Sequence, residues 1–145
     1  DRFWANSIGL RPATKANGRA ADGDRELLHR LSKQSYPIGI VVNRDGRRFV
    51  DEGADFRNYT YAKYGRVVLE QPGNFAWQVF DRKVAHVLRD EYRIRQVTKV
   101  KADTLEELAE RLEGVDGAAF LGEVDRLRAD VDRLEQRIKR LLGTR

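Results

Sequence analysis

The densest run of chemically useful side chains lies between Asn43 and Tyr61. It reads Asn43-Arg-Asp-Gly46, then Arg48-Phe-Val50, the acid pair Asp51 and Glu52, and Arg57 followed by Asn58, Tyr59 and Tyr61. A guanidinium is permanently charged and planar, and its fork pairs with a carboxylate through two parallel hydrogen bonds. An acid just behind a strand either orients such a group or makes a surface salt bridge, and the residues leave both open. Other chemistries lack their parts. With no cysteine there is no disulfide, thiolate metal site or cysteine nucleophile. His29 and His86 are the only histidines, both read as surface residues, and a structural zinc site is not expected. Ser7, Ser32 and Ser35 stand in no nucleophile-elbow or triad context. No G-x-G-x-x-G links a strand to a helix, so a Rossmann phosphate cradle is missing.

The elements that position this run can be taken in order. Residues 1–23 sustain no period and read as an irregular segment, with Phe3, Trp4, Ile8 and Leu10 as anchors. Asp24 to Lys33 reads as a short helix carrying Leu27, Leu28 and Leu31 on one face. Ile38 to Val42 is apolar and β-branched, a buried strand. Asp45-Gly46 is a turn signal, because these residues tolerate positive φ. Arg48 to Val50 then reads as the returning strand, with Arg48 a fold residue on the face opposite Phe49. Asn58 is expected to cap a helix to about Glu70, with Tyr61, Tyr64 and Val68 on one face, and Gln71-Pro-Gly-Asn74 to stop it. This helical spacing favours core packing of the aromatics over base stacking.

Phe75 to Phe80 is the next strand, and Asp81 opens a helix to about Glu91 with Val84, Val87 and Leu88 buried. Gln96 to Lys101 alternates as a half-buried strand. Asp103-Thr-Leu-Glu106 has the capping-box pattern, and Leu105, Leu108, Ala109 and Leu112 give the following helix an apolar face. Gly114 ends it, and Asp116 starts the last helix.

That last helix carries Phe120, Val124, Leu127, Val131, Leu134, Ile138 and Leu141 at alternating spacings of four and three. With Val124 at heptad position a, valine and isoleucine fill a and leucine fills d, a choice that favours two strands in parallel coiled coils. Flanking charges are mixed: Glu123 suits a partner's Arg128, whereas Asp130 would face Glu135. About three heptads are marginal alone. The stripe either pairs with a partner over 124–142 or lies on the domain's own sheet.

Composition sets outer bounds. The chain has 145 residues, a net charge of +5 and 35% charged residues. Acids and bases are interleaved, which reads as a solvated surface and argues against a nucleic-acid stripe. No apolar run approaches the roughly 20 residues of a membrane span. No signal peptide is visible, so a cytoplasmic location is expected. The absence of Met suggests a segment of something longer, or a processed product.

The run Gly39-Ile-Val-Val-Asn43, Gly46, Arg48-Phe49, Asp51-Glu52 and Arg57 resembles the capping domain of the FAD-dependent fumarate reductase and succinate dehydrogenase flavoprotein superfamily. Within it the chain is most similar to the tricarballylate dehydrogenases. The similarity continues through Gln71-Pro-Gly73, Ala76 to Asp81, Arg93 to Val97 and Asp103 to Ala109, and ends near Val124. It implies an α+β fold: a small sheet with flanking helices over 24–123, followed by a heptad-patterned helix over 124–145. It also implies an oxidoreductase in which this domain closes over FAD and a di- or tricarboxylate, with an FAD-binding domain as partner. The family's proton-handling arginine maps onto Arg57, which the resemblance makes both catalytic and substrate-binding, with Glu52 beside it in the substrate site. The spacing from Glu52 to Arg57 is one residue longer than in fumarate reductases, a shift that carboxylate binding tolerates better than proton donation. The FAD-binding half lies outside these residues, so the chain alone is expected to bind no flavin and to be inactive. The other reading is a non-catalytic interaction module that dimerises through its C-terminal helix. No nucleic acid, metal or membrane span is expected.

Overall fold

A computed structural model describes residues 3–9, 34–93 and 98–143. The fold is α+β. Four strands form one antiparallel sheet: β1 (Phe3–Gly9), β2 (Ile40–Val42), β3 (Phe75–Asp81) and β4 (Lys99–Ala102), in the order β2-β3-β1-β4. The helices are α1 (Arg57–Leu69), α2 (Arg82–Ala85), α3 (Leu105–Arg111) and α4 (Gly117–Leu141). Short 3-10 turns occupy Tyr36–Ile38, Pro72–Asn74 and Asp90–Tyr92. The expected helix over Asp24 to Lys33, with His29, lies outside the described residues. Among the described residues no helix is long and apolar enough to cross a membrane.

The sheet is covered on both faces. Phe3 and Ala5, Phe75, Trp77 and Val79, Val42 and Ala102 point to one side, where Leu108 of α3, Leu112 just after it and Phe120 of α4 complete the main core. Alternate residues of the same strands point the other way. Val41 and Ala76 meet Tyr36, Tyr64 and Val68, while Phe80 meets Leu88 and Tyr92. Period-two alternation sends successive side chains to opposite faces, so a strand covered on both sides reads as a continuous apolar run. This accounts for the uninterrupted burial of Phe75 to Phe80.

The N-terminal segment needs correction. Residues 3–9 are not irregular: they form an interior strand, paired along its length to β3, from Phe3 opposite Asp81 to Gly9 opposite Phe75, and on its other edge to β4. The return strand is also corrected. Arg48 makes one isolated bridge to Val42 and no ladder follows, because Asn43 gathers the turn instead. Its Oδ1 accepts from the N–H groups of Asp45 and Arg47, both at 3.0 Å. Gly46 completes the turn at φ +70°, where an added Cβ would lie 2.4 Å from the Phe120 nitrogen.

Three helix readings shift as well. Phe56, not Asn58, is the cap residue of α1, and Thr60 rather than Tyr61 joins Tyr64 and Val68 on its buried face. The helix begun by Asp81 lasts four residues, and Val87 is exposed. The capping box stands one residue along: Thr104 accepts from Glu107 N–H, and Glu107 accepts from Asp103 N–H, each at 3.1 Å. Asp116 caps α4 as expected, through Ala119 N–H.

Candidate functional site

Glu52 is buried, with 4% of its surface exposed. Its Oε1 accepts from the Val41 N–H at 2.6 Å, and its Oε2 lies 2.6 Å from both Nε and Nη2 of Arg48. Val41 belongs to β2, at the end of the strand order, and among the described residues no further strand lies on its outer side to satisfy it. The carboxylate takes that role: an unpaired backbone N–H in the interior is costly, and an ionised acceptor is a strong partner for it. Arg48 is held as a cation by this hydrogen bond, its affinity for the proton raised further by the charges of Glu52 and Asp51. The surface salt bridge considered for Glu52 is thus a buried staple, and its arginine is Arg48.

Arg57 stands elsewhere. It is the first residue of α1, half-buried. Among the described residues its guanidinium has no hydrogen-bond or ion-pair partner, and none links it to Glu52. Its carbonyl accepts from the Tyr36 hydroxyl at 3.3 Å, and that hydroxyl shares a 2.5 Å hydrogen bond with Thr60. Tyr36 stacks edge-on against Tyr64, ring centroids 5.5 Å apart. The start of α1 is therefore pinned to the 3-10 turn at Tyr36–Ile38 through its backbone, leaving the Arg57 side chain unengaged.

An open cleft of about 740 Å³ runs along this junction, lined by Ser35, Pro37, Ile38, Phe56, Arg57, Asn58, Tyr59, Val87 and Arg89, among others. Its electrostatics favour an anion. No side chain caps the first turn of α1 and no acid stands in it, so the positive end of the helix faces outward, offset only by Asp55, which accepts from the Phe56 N–H at 2.6 Å. Arg89 is partly neutralised by Glu91, Nε to Oε1 2.7 Å; Arg57 is not. The rim is apolar: Phe56 is 79% and Tyr59 74% exposed. Such a surface can hold a carboxylate by its charge and an organic skeleton, or a covering surface, by its rings.

Of the two residues singled out from sequence, the structure brings Arg57 to a cleft and turns Glu52 into the sheet edge. Arg89, Val87 and the uncapped helix end were missed. Arg89 follows Arg57 by 32 positions in the chain, and only the fold joins them.

A second polar cluster is buried against the sheet and meets the cleft only at Ser35. The Tyr92 hydroxyl donates to Gln78 Oε1 at 2.6 Å and accepts from Ser35 N–H at 2.8 Å, while Asn6 Nδ2 donates to the Tyr92 carbonyl at 3.3 Å. Burial pushes the Tyr92 phenol well above its usual range. The cluster ties β1, β3 and the segment before α1 into one unit.

Residues 115–143 match the family model described as the C-terminal region of the ubiquinone biosynthesis accessory factor UbiJ. The chain is 31% identical over 115 residues to the 4-oxocyclohex-2-ene-1-carboxylate 5-dehydrogenase of Sinomonas cyclohexanicum, covering 70% of this chain and 19% of that protein. It is 37% identical over 73 residues to the probable fumarate reductase Ifc3 of Shewanella frigidimarina, covering 48% of this chain and 11% of that protein. The resemblance is partial. The chain spans about a fifth or less of the length of these curated relatives. No solved structure matches it.

Proposed function

We propose that this chain forms the substrate-capping part of an FAD-dependent oxidoreductase acting on a di- or tricarboxylate, of the tricarballylate or fumarate and succinate kind. The observation that carries the reading is the unpaired guanidinium of Arg57, at the uncapped start of α1 in an open cleft. The two relatives add support, because each printed name specifies a carboxylate-bearing compound.

Arg57 binds a substrate carboxylate by its planar fork, and the N-terminus of α1 adds backbone donors to a second oxygen or a second carboxylate. Tyr36 and Thr60 act as positioning residues by fixing the first turn of the helix. Glu52 and Arg48 position it too, by holding the loop that leads into α1 against β2. Phe56, Tyr59, Ile38 and Val87 form the apolar rim that closes over the FAD-binding domain and excludes water.

FAD supplies hydride chemistry when bound, but the described residues do not fit its diphosphate. Gly46 packs onto the start of α4, and a Cβ on Gly39 would meet the Val79 carbonyl oxygen at 2.4 Å. Among the described residues no glycine-rich turn leads from a strand into a helix.

The test is an NMR titration of the full chain with tricarballylate, fumarate and succinate, using acetate as a one-carboxylate control. Shifts confined to Ser35–Ile38, Arg57–Tyr59 and Arg89, stronger for the polycarboxylates and abolished in Arg57→Ala, are expected. Equal shifts in Arg57→Ala, or none with any polycarboxylate at millimolar concentration, would sink the proposal.

A further inference from the structure

The C-terminal half of α4 has no cover within the chain. Phe120 is fully buried and Val124 packs partly on the main core, but every residue from Val131 to Gly143 is exposed. Val131, Leu134, Ile138 and Leu141 thus carry an apolar stripe about 17 Å into solvent. The sheet-packed alternative for this segment does not hold beyond Leu127.

We infer that a second copy of this chain covers the stripe, with the two α4 helices antiparallel and centred between Val131 and Leu134. The argument is charge complementarity. In a parallel pair, Asp130 of each copy meets Glu135 of the other, a repulsion repeated on both sides of the seam. The one attractive parallel pair, Glu123 with Arg128, is already spent. Glu123 is buried, and its two oxygens accept from Arg126 at 2.7 and 3.0 Å and from the Arg48 N–H at 3.3 Å.

Turning one helix over reverses this account. With Val131 against the second copy's Leu134 and Leu127 against its Ile138, the flanking positions bring Asp130 to the second copy's Arg137. On the other flank Arg128 meets the second copy's Glu135. Symmetry repeats both, giving four opposite-charge pairs and no like pair among these positions; Asp130 also pairs with Arg126 and Arg133 of its own helix, and Arg128 with Asp125, all at the surface, so the cross-helix contacts extend these ion pairs rather than meet free charges. The two domain bodies then sit at opposite ends of the seam. The exposed tip at Leu141 and Leu142 reaches the second copy's half-buried Leu121 and Val124. Six apolar layers, the outer two against half-buried Val124, make a short seam, so the dimer depends on concentration. This inference stands independently of the carboxylate site.

Sedimentation equilibrium of the full chain, with the Glu135→Arg variant beside it, tests the orientation. The substitution puts like charges opposite each other in the antiparallel pair and removes the repulsion in the parallel one. Expected is a wild-type monomer–dimer equilibrium, weakened roughly tenfold by Glu135→Arg because two attractions become repulsions, with helicity by circular dichroism unchanged. A chain without cysteine also gives clean disulfide reporters. Ile138→Cys alone should not cross-link, since the two sites lie about 16 Å apart along the seam. Mixed with Leu127→Cys it should. A wild-type monomer at millimolar concentration, a trimer, tighter association of Glu135→Arg, or efficient self-cross-linking of Ile138→Cys would each overturn the inference. Should Glu135→Arg lose helicity, the cysteine pair decides alone.

Discussion

Glu52 Oε1 and the Val41 N–H meet at 2.6 Å, so a side chain, not a strand, finishes the outer edge of the sheet at that point. Arg48 grips the other oxygen with two nitrogens. The loop between β2 and α1 is thereby anchored where the hairpin ladder fails to form.

Glu52→Ala should cost roughly 2–3 kcal/mol, since it strands a buried N–H and frees a partly buried guanidinium. Glu52→Gln keeps one acceptor and should cost about half as much. Urea unfolding of the two variants separates the hydrogen bond from the charge. An unperturbed Glu52→Ala would contradict the role given to this residue.

Arg57→Ala should leave stability within about 0.5 kcal/mol, because the guanidinium has no partner to lose among the described residues. The same unfolding experiment measures this. A loss beyond 1.5 kcal/mol, about tenfold in the folding equilibrium, would mean that Arg57 holds the fold rather than a ligand.

Acid should weaken the join between α4 and the β2 turn. Arg126 holds the Glu123 carboxyl below the usual carboxylate range, despite burial pulling the other way. A depressed folded-state value means stability that is complete above the unfolded carboxylate range and lost as pH falls through the lower, folded value. Glu123→Gln should therefore be less stable than wild type at pH 7 and should flatten the decline between about pH 5 and pH 2. Urea midpoints across that range provide the comparison, and identical acid limbs would refute the assignment.

Phe120→Ala should destabilise by about 3–5 kcal/mol, since it opens a cavity where α4 meets the sheet. Leu134→Ala, on the same helix but exposed, should leave the monomer's unfolding midpoint unchanged at low concentration. Its effect belongs to association, and denaturant melts at two protein concentrations tell the two apart.

Mixed with FAD and passed over a desalting column, the full chain should emerge colourless. Tight stoichiometric flavin would show that these residues hold a dinucleotide site by another route.

How far the sequence revealed this fold depended on where burial came from. β3 was plain because both its faces are apolar. β1 was hidden for the opposite reason. Ala5, Asn6 and Ser7 are small or polar, and the central position that buries Ala5 and Asn6 is supplied by β3 and β4, more than seventy residues away. Arg48 looked like a strand residue because Phe49 follows it, but its side chain is drawn to Glu52. The helix at Asp81 was overextended because Val87 fits the period, yet its side chain meets solvent. Arg57 was legible as a residue, but its cleft was not. Tyr36, Arg57 and Arg89 come together only in three dimensions. The stripe on α4 was visible in full, and only the fold decided how much of it the body covers.

The position of β1 bears on how the chain reaches this state. Its first described residues must wait for Phe75–Asp81 and Lys99–Ala102 before either edge is paired. Until then β2 and β3 have only each other, and β4 has no neighbour. Closing such long loops precedes any reward, which slows folding relative to a protein built from local contacts. During synthesis β1 leaves the ribosome before the other three strands and is paired last. Removing Phe3–Gly9 would therefore not fray one end; it would take out the strand that makes two half-sheets into one.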